Sequence, residues 1–378
     1  MKLEILNEYI LSKHNIVPGN QGVTISEVAS NHIGLHSARI MTPYTTLCSR
    51  LTEYSPDMLT LHLYKKRELI KLRCMRKTLH IVPHDIACIV HMATLKLRTA
   101  DCLLFFKRNK LSMDYISSFH NIIKNYVSDV LMKPADIENH IMKHLKINDN
   151  KALCAKKILK YYWELGLLCY VNIATDWERE DRRFALTKNY YPELNLSYLS
   201  EEEAQDMLVH YYIMRFGPAT TKDFSWWSGL SAKVMVNYIA KRKDIITTVN
   251  LDGFVSDFYI LTEDYKKLSS YRSVGCDWVS LLAYEDPSLK GYYESRRKYV
   301  DDHFYDLFFN QIGEVMPGIM HNGKAIGIWK WDKKNKQIIT EYFANVGTDI
   351  NKKVNFIKEK YEHILYPNQQ LNLFRALD

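Results

Sequence analysis

The sequence predicts an α+β fold in which three helical segments each run into a pair of strands, followed by a small β domain at the C-terminal end. Apolar residues recur at helical spacing, and helix-start and helix-stop residues flank these runs. Beyond residue 279, short apolar runs alternate with turn residues, as in a β domain. With 378 residues, of which 47% are hydrophobic, the chain is long enough for several packed units. We predict their bounds as 1–110, 111–198, 199–265 and 275–378.

The first unit has clear helix-start signals and one turn signal. Thr24 is a suitable N-cap, and Pro43 is a residue tolerated in a first helical turn. Arg76-Lys77 separates two runs rich in β-branched and apolar residues, which indicates a hairpin. The predicted elements are helices at 3–13, 25–32 and 43–54 and strands at 69–75 and 78–82.

The second unit contains the clearest amphipathic helix of the chain. Ile116, Phe119 and Ile123 begin an apolar face of period 3.6 that continues to residue 130. Pro134 starts the next helix, and Gly166 ends the third as a left-handed cap. The predicted elements are helices at 116–130, 135–145 and 151–165 and strands at 167–173 and 183–187.

The third unit repeats this order, and the last part of the chain changes to strands and turns. Asn322-Gly323 between two apolar runs is a strong hairpin signal. The predicted elements are helices at 201–216, 221–227 and 231–241, strands at 245–249 and 256–261, a linker at 262–277, and a β domain from 279 closed by a helix at 351–361. Helices followed by a strand pair are the plan of a winged helix, so the sequence predicts three winged helices in tandem and then a β domain. The residues of the three units do not align as repeats.

Composition limits the classes of function. The net charge of +8 favours polyanionic partners. The seven cysteines are scattered and odd in number, which indicates reduced thiols in an intracellular protein and neither a disulfide frame nor a zinc knuckle. No run of about 18 apolar residues and no nucleotide-binding loop occurs in the sequence, so we expect no membrane span and no nucleotide cofactor. We expect no metal either, although His140 and His144 lie four residues apart, because Ile141 stands where a zinc protease has glutamate.

The most informative segment is Gly34–Leu51, which contains His36-Ser37-Ala38 and ends with Leu47, Arg50 and Leu51. It resembles the Gly-Leu-Gln-x-Gln motif of the AlkZ/YcaQ family of winged-helix DNA glycosylases, with histidine and alanine in place of the two polar residues. Other parts of the chain resemble the family in the same order. They are Met75-Arg76-Lys77-Thr78-Leu79-His80, Phe216-Gly217-Pro218 with Trp226-Trp227-Ser228-Gly229, and Gly291-Tyr292 with Arg296, Pro317 and Asn322-Gly323.

The resemblance implies hydrolysis of the N-glycosidic bond of an alkylated purine in duplex DNA, including bulky or crosslinked purines. In that family two side-chain amides, or an amide and a carboxylate, are thought to hold the attacking water. His36 can hold a water here, because an imidazole both donates and accepts, whereas Ala38 can do neither. Ser37 is our second catalytic candidate, and Asn31, His32 and Tyr44 are also near in sequence.

The resemblance also suggests residues around the catalytic pair. Those expected to support the cleft are Tyr44, Arg50, Thr78 and His80, and those expected to contact DNA are Arg39, Arg76, Lys77, Arg296 and Arg297. Trp226-Trp227 fits a core position better than a stacking platform for bases. We expect a monomer, because the sequence has no heptad seam, located in the cytoplasm and associated with the nucleoid.

Two alternatives remain open at this stage. The missing polar residue at Ala38 also fits a DNA-binding protein that has lost catalysis and recognises damaged or deformed duplex. A transcriptional regulator is the other, since winged helices often read the major groove. The absence of an obvious dimerisation segment in the sequence argues against a regulator.

Overall fold

The computed structural model describes residues 3–147, 149–275 and 277–366. Its first part contains α1 (Leu3–Lys13), α2 (Ile25–Asn31), β1 (Leu35–His36), α3 (Thr42–Cys48), α4 (Pro56–Thr60), β2 (Leu69–Arg73) and β3 (Leu79–Pro83), with a π-helical turn at Leu61–Lys65 and a 3-10 turn at Met75–Lys77. Thr24 caps α2 as predicted, because its side chain accepts a hydrogen bond from the Glu27 N–H.

Two details of this part differ from the prediction. The helix that Pro43 opens ends at Cys48, well short of Tyr54, and a separate helix starts at Pro56. The strand β1 was not predicted; it pairs antiparallel with β3 and makes the sheet three-stranded, in the order β1-β3-β2. A two-residue strand is too short to give an alternating sequence pattern.

The second part begins with a long helix that the sequence did not predict. Its elements are α5 (His84–Arg108), α6 (Met113–Val127), α7 (Pro134–His144), α8 (Lys151–Glu164), β4 (Leu168–Asn172), β5 (Arg182–Leu186) and α9 (Thr187–Tyr190). The predicted helix end at Gly166 is confirmed by its φ of +81°. Side chains between Cys102 and Leu186 form an apolar cluster of their own.

The third part follows the predicted order closely. Its elements are α10 (Glu201–Phe216), α11 (Thr221–Ser228), α12 (Ala232–Lys241), β6 (Ile246–Val249), β7 (Phe258–Leu261) and α13 (Thr262–Ser270). Ser200 with Glu203, and Thr220 with Asp223, form capping boxes at α10 and α11. The predicted linker at 262–277 is wrong in its first half, which is the helix α13.

The last part is a four-stranded antiparallel sheet with helices around it. Its elements are β8 (Val279–Leu282), α14 (Pro287–Lys290), α15 (Tyr305–Phe308), β9 (Gly318–His321), β10 (Lys324–Asp332), β11 (Gln337–Tyr342) and α16 (Thr348–Leu365), with 3-10 turns at Arg296–Tyr299 and Asp302–Phe304. The sheet order is β11-β10-β9-β8. The predicted hairpin turn at Asn322-Gly323 is confirmed, and both residues have positive φ, as this type of turn requires.

The first and last parts of the chain share one hydrophobic core. Leu47 and Ile81 belong to the same apolar cluster as Leu281, Ile319 and Trp329 of the four-stranded sheet. Leu35 of β1 belongs to the same cluster, so β1 and β8 contribute to one core. Within the described ranges, no helix is long and apolar enough to cross a membrane.

Candidate active site

A cavity of about 290 Å³ opens where the first, third and last parts of the chain meet. The strands β1 and β3 and the turn before β3 form one part of its wall, and Trp227 of α11 contributes another. The segments around α14 close the cavity from the opposite side. The titratable side chains that line it are His32, His36, Arg76, His80, Glu285, Lys290 and Glu314.

His36 reaches this cavity from β1. The backbone of Gly34 has φ +110°, and a Cβ there would stand 2.7 Å from Val82 Cγ1, so only glycine permits the approach of β1 to β3. His36 pairs with His80 on β3, and their rings meet edge to face at 5.3 Å. The glycine of the motif therefore fixes where the histidine lies.

His36 is neutral in this environment. Only 6% of the residue is exposed, and this burial lowers the pKa of the imidazole well below its ordinary value, with smaller effects from His80 and Lys290. Its Nδ1 has no hydrogen-bond partner within the described residues. A neutral imidazole with a free ring nitrogen can accept a hydrogen bond from a water or a ligand.

A carboxylate that the sequence analysis missed faces His36. Glu285 Oε2 lies 3.9 Å from His36 Nε2, and Glu285 is only 5% exposed. Its Oε1 accepts hydrogen bonds from the Val315 N–H at 2.7 Å and from Lys290 Nζ at 2.9 Å, and Lys290 Nζ also lies 2.7 Å from Oε2. The backbone of Glu285 has φ +54°, a conformation that is costly for a residue with a Cβ and that collects at functional sites.

Arg50 anchors the segment that carries Glu285. It is completely buried, and its Nη2 donates to Asp286 Oδ1 at 2.6 Å and to Ser288 Oγ at 2.9 Å. Its Nε donates to His32 Nε2 and its Nη1 to the Thr46 carbonyl. Because Asp286 adjoins Glu285, the motif arginine joins the first part of the chain to the carboxylate. Arg50 is too deeply buried to contact a phosphate.

The family model described as DNA glycosylase AlkZ-like matches residues 32–342 of this chain. The chain belongs to the AlkZ-like DNA glycosylase family. The structure is also similar to that of Streptomyces sahachiroi DNA glycosylase AlkZ, with a TM-score of 0.77 over 96% of this chain and 97% of that one, at 15% sequence identity. That likeness concerns the fold. No curated protein matches the sequence.

In this AlkZ-like chain the second catalytic candidate, Ser37, does not line the cavity. His36, the last residue of β1, lines the cavity, whereas Ser37, which follows the strand, does not. Ser37 is 1% exposed, and its N–H donates to the Leu79 carbonyl. Ala38 is exposed and carries no polar side-chain group.

Of the other residues expected to support the cleft, some line the cavity and one does not. Thr78 and His80 line the cavity. Tyr44 does not; its hydroxyl contacts Thr60 Oγ1 at 3.3 Å, and its ring lies 5.3 Å from that of Trp177. Tyr44 therefore packs behind the motif and away from the cavity.

The basic residues expected to contact DNA differ in exposure and in their distance from the cavity. Arg39 is exposed, Lys77 pairs with Asp101, and Arg297 is exposed and pairs with Asp302. Arg76 lines the cavity. The prediction that Arg296 contacts DNA is wrong, because Arg296 is only 4% exposed. Its Nε donates to the Tyr305 hydroxyl at 2.6 Å, and aromatic rings surround its guanidinium.

The tryptophan pair lies beside the cavity. Trp227 is 5% exposed and packs in the core as predicted. Trp226 lies under the Arg76 guanidinium at 3.7 Å and next to Tyr293. No cluster of three metal-ligating side chains occurs in the part of the chain that the structure describes.

Proposed function

We propose that this AlkZ-like protein is a monofunctional DNA glycosylase that hydrolyses the N-glycosidic bond of an alkylated purine in duplex DNA. The observation that carries the proposal is the pair formed by His36 and Glu285 in one cavity. Glu285 supplies the carboxylate that the motif lacks at Ala38. The family membership supplies the reaction class.

The chemistry of the lesion sets what these two groups must do. Alkylation of a purine ring nitrogen produces a cationic base, which is already a good leaving group. The site must then place a water at C1′ and stabilise a sugar with oxocarbenium character. Little acid catalysis is required.

His36 and Glu285 suit this task together. The distance of 3.9 Å between His36 Nε2 and Glu285 Oε2 is too long for a direct hydrogen bond and allows one water to contact both atoms. In our mechanism the ionised carboxylate stabilises the cationic sugar as the C1′–N bond breaks and the base leaves as a neutral molecule. The carboxylate then accepts the proton of the water that adds to C1′. Lys290 and the Val315 N–H hold the carboxylate in position.

The surface around the cavity provides the contacts to duplex. We propose that Arg76, at the cavity, and Arg39, Lys77 and Arg297 near it in the fold contact phosphates, which fits the net charge of +8. We further propose that the three helix–strand units are winged helices that hold the duplex, with the protein acting as a monomer associated with the nucleoid. Arg296 has no part in this surface.

The test is single-turnover release of base from a duplex that carries one N7-methylguanine. We expect release to fall by about 10² or more in Glu285→Gln and in His36→Ala, since each removes one contact to the water. Ser37→Ala is the matched control; because Ser37 does not line the cavity, its rate should stay close to that of the unchanged protein. An unchanged rate in Glu285→Gln would remove the carboxylate from the mechanism.

A second candidate function is recognition of damaged or deformed duplex without catalysis. The exposed, apolar Ala38 at the motif position favours it. In this case the unchanged protein would bind the N7-methylguanine duplex more tightly than undamaged duplex and release no base, either from it or from a crosslinked duplex. Release of base from either duplex would show that the protein is an enzyme.

A further inference from the structure

The turn between α15 and β9 carries an exposed apolar side chain at the edge of the candidate active site. Ile312 lines the cavity that holds His36 and Glu285, yet 70% of the residue is exposed. It therefore lies at the mouth of the cavity, with much of its side chain in solvent. Single exposed apolar residues are common on protein surfaces, so a role for Ile312 has to be argued from its surroundings.

The turn that carries Ile312 is closed by several hydrogen bonds. Asn310 is its first residue and Gly313 its fourth, positions where these residue types are preferred, and the Gly313 N–H donates to the Asn310 carbonyl at 2.8 Å. The Asn310 side chain adds two contacts to Glu314: its Nδ2 donates to Oε2 at 2.7 Å, and its Oδ1 accepts from the N–H at 2.8 Å. Gln311 and Ile312 therefore form the tip of a short, well-fixed turn.

The base of this turn is held by groups of the candidate active site. The Gly313 carbonyl accepts a hydrogen bond at 3.1 Å from Lys290 Nζ, which also contacts Glu285. The Val315 N–H donates to Glu285 Oε1, and the Glu285 N–H donates to the Val315 carbonyl at 3.0 Å. On the other side, a Cβ at Gly313 would stand 2.5 Å from the Trp226 ring, so the turn lies directly against that ring. The tip of the turn is thus held in a fixed position relative to the carboxylate.

The two groups of the proposed mechanism are almost completely enclosed. His36 is 6% exposed and Glu285 5% exposed. A nucleotide in a regular duplex is held by its pairing partner and by stacking on its neighbours. Bringing its C1′ to enclosed side chains therefore requires that a stacking contact is broken. The cost of this step is lower when a protein surface replaces the lost contact.

The mouth of the cavity offers such a surface beside a positive charge. A branched apolar side chain is the kind of group that enters base steps in proteins that bend DNA. Arg76 lines the same cavity and supplies a guanidinium for a phosphate. An apolar tip next to a cation matches a duplex, because a duplex presents stacked bases beside phosphates. A partner with an apolar surface and no anion would leave Arg76 without a counter-charge.

We propose that Ile312 inserts into the base stack beside the lesion and replaces the stacking contact that the nucleotide loses on moving towards His36 and Glu285. The proposal rests on the function proposed above and adds a positioning residue to it. Ile312 does not contact the reacting atoms; it lowers the cost of opening the duplex at the mouth of the cavity. The hydrogen bonds of the turn keep its side chain in place before DNA binds, so little conformational freedom is lost on binding.

The experiment measures base stacking and base release separately. The stacking substrate is a duplex with one N7-methylguanine on a 2′-fluoro sugar, which opposes release of the base, and with the fluorescent base 2-aminopurine as its neighbour. The fluorescence of 2-aminopurine increases when it loses stacking with the adjacent base. We expect the unchanged protein to raise this fluorescence severalfold and Ile312→Ala to lose most of the rise. Ile312→Leu, which keeps the apolar volume, should restore it.

Base release is measured on the same duplex with an ordinary sugar. We expect release to fall by about tenfold in Ile312→Ala. Leu307→Ala is the matched control and should change neither signal, because Leu307 is 56% exposed and does not line the cavity. In a second duplex the lesion lies opposite an abasic nucleotide and has no pairing partner. The fall in Ile312→Ala should shrink there to about twofold, since opening the duplex costs less.

Four results would overturn the proposal. They are no fluorescence rise with the unchanged protein, a rise that persists in Ile312→Ala, an equal loss in Leu307→Ala, and an equal fall of release on the paired and the abasic duplex. If the unchanged protein releases no base from the ordinary duplex, the function proposed above fails. The fluorescence measurement requires no catalysis and still decides whether Ile312 enters the base stack.

Discussion

Replacing Arg50 by methionine tests the link between the motif and the Glu285 segment. Arg50 and Asp286 are both completely buried, and the distance between Arg50 Nη2 and Asp286 Oδ1 is 2.6 Å. Methionine keeps much of the side-chain length without the charge. The variant therefore leaves Asp286 as a buried carboxylate without its cation.

The structure indicates that Arg50→Met lowers the free energy of unfolding by a large amount. Removing one partner of a buried ion pair destabilises a protein by about 3–5 kcal/mol, because the remaining charge loses its compensation. Asp286 Oδ1 retains a hydrogen bond from the Ser288 N–H at 3.0 Å, which moderates the loss. We expect a decrease in unfolding free energy of about 3 kcal/mol, a large share of the roughly 5–15 kcal/mol typical of a folded protein.

The assay is equilibrium unfolding in urea, followed by tryptophan fluorescence. Arg297→Met is the matched control, because the pair of Arg297 with Asp302 is exposed and should contribute about 1 kcal/mol or less. The double variant Arg50→Met with Asp286→Asn should recover part of the stability, since the uncompensated charge is gone. A loss in Arg50→Met no larger than in the control would refute the reasoning.

Two further predictions concern titration and DNA binding. Burial lowers the pKa of His80 to about 4, so below about pH 6.5 the unfolded chain takes up a proton that the folded protein does not. The contribution of His80 to stability should be constant well above this pH and lower by about 2 kcal/mol at pH 5, in addition to the losses from the other buried histidines with lowered pKa values, His14, His32, His36 and His91. Urea midpoints of the unchanged protein and of His80→Gln, each at about pH 7.5 and about pH 5, measure this contribution. His80→Gln should remove this part of the acid sensitivity, and an identical loss in that variant would exclude His80 as its source. Arg76→Met should reduce the slope of log K against log salt concentration for duplex binding by about one, and an unchanged slope would mean that Arg76 makes no phosphate contact.

Local signals predicted much of the secondary structure. The helix cap at Thr24 and the positive φ angles at Gly166 and Asn322-Gly323 depend only on nearby residues. Each occurs where it was predicted. The helix α5 was missed because its polar side chains are buried and obscure the apolar period. Arg98, for example, is 1% exposed and pairs with Glu164 of α8.

The site was less predictable than the fold, because it depends on contacts between distant parts of the chain. The motif predicted that His36 lies in the cavity, and it did not reveal that Ser37, which follows the strand β1, is buried away from the cavity. Glu285 has no local signature in the sequence, since its position comes from the packing of the four-stranded sheet against the first unit. Arg296 was misplaced because a basic run does not distinguish an exposed arginine from one enclosed by aromatic rings.

The joint core of the first and last parts of the chain has a consequence for synthesis. A ribosome makes the His36 motif early, and the Glu285 carboxylate follows only after β8 has been translated. A nascent chain that has already folded its first sheet therefore carries the imidazole without the group that faces it. On the mechanism proposed above, hydrolysis therefore requires that the C-terminal sheet has docked, and a fragment released before that point would contain the motif without Glu285.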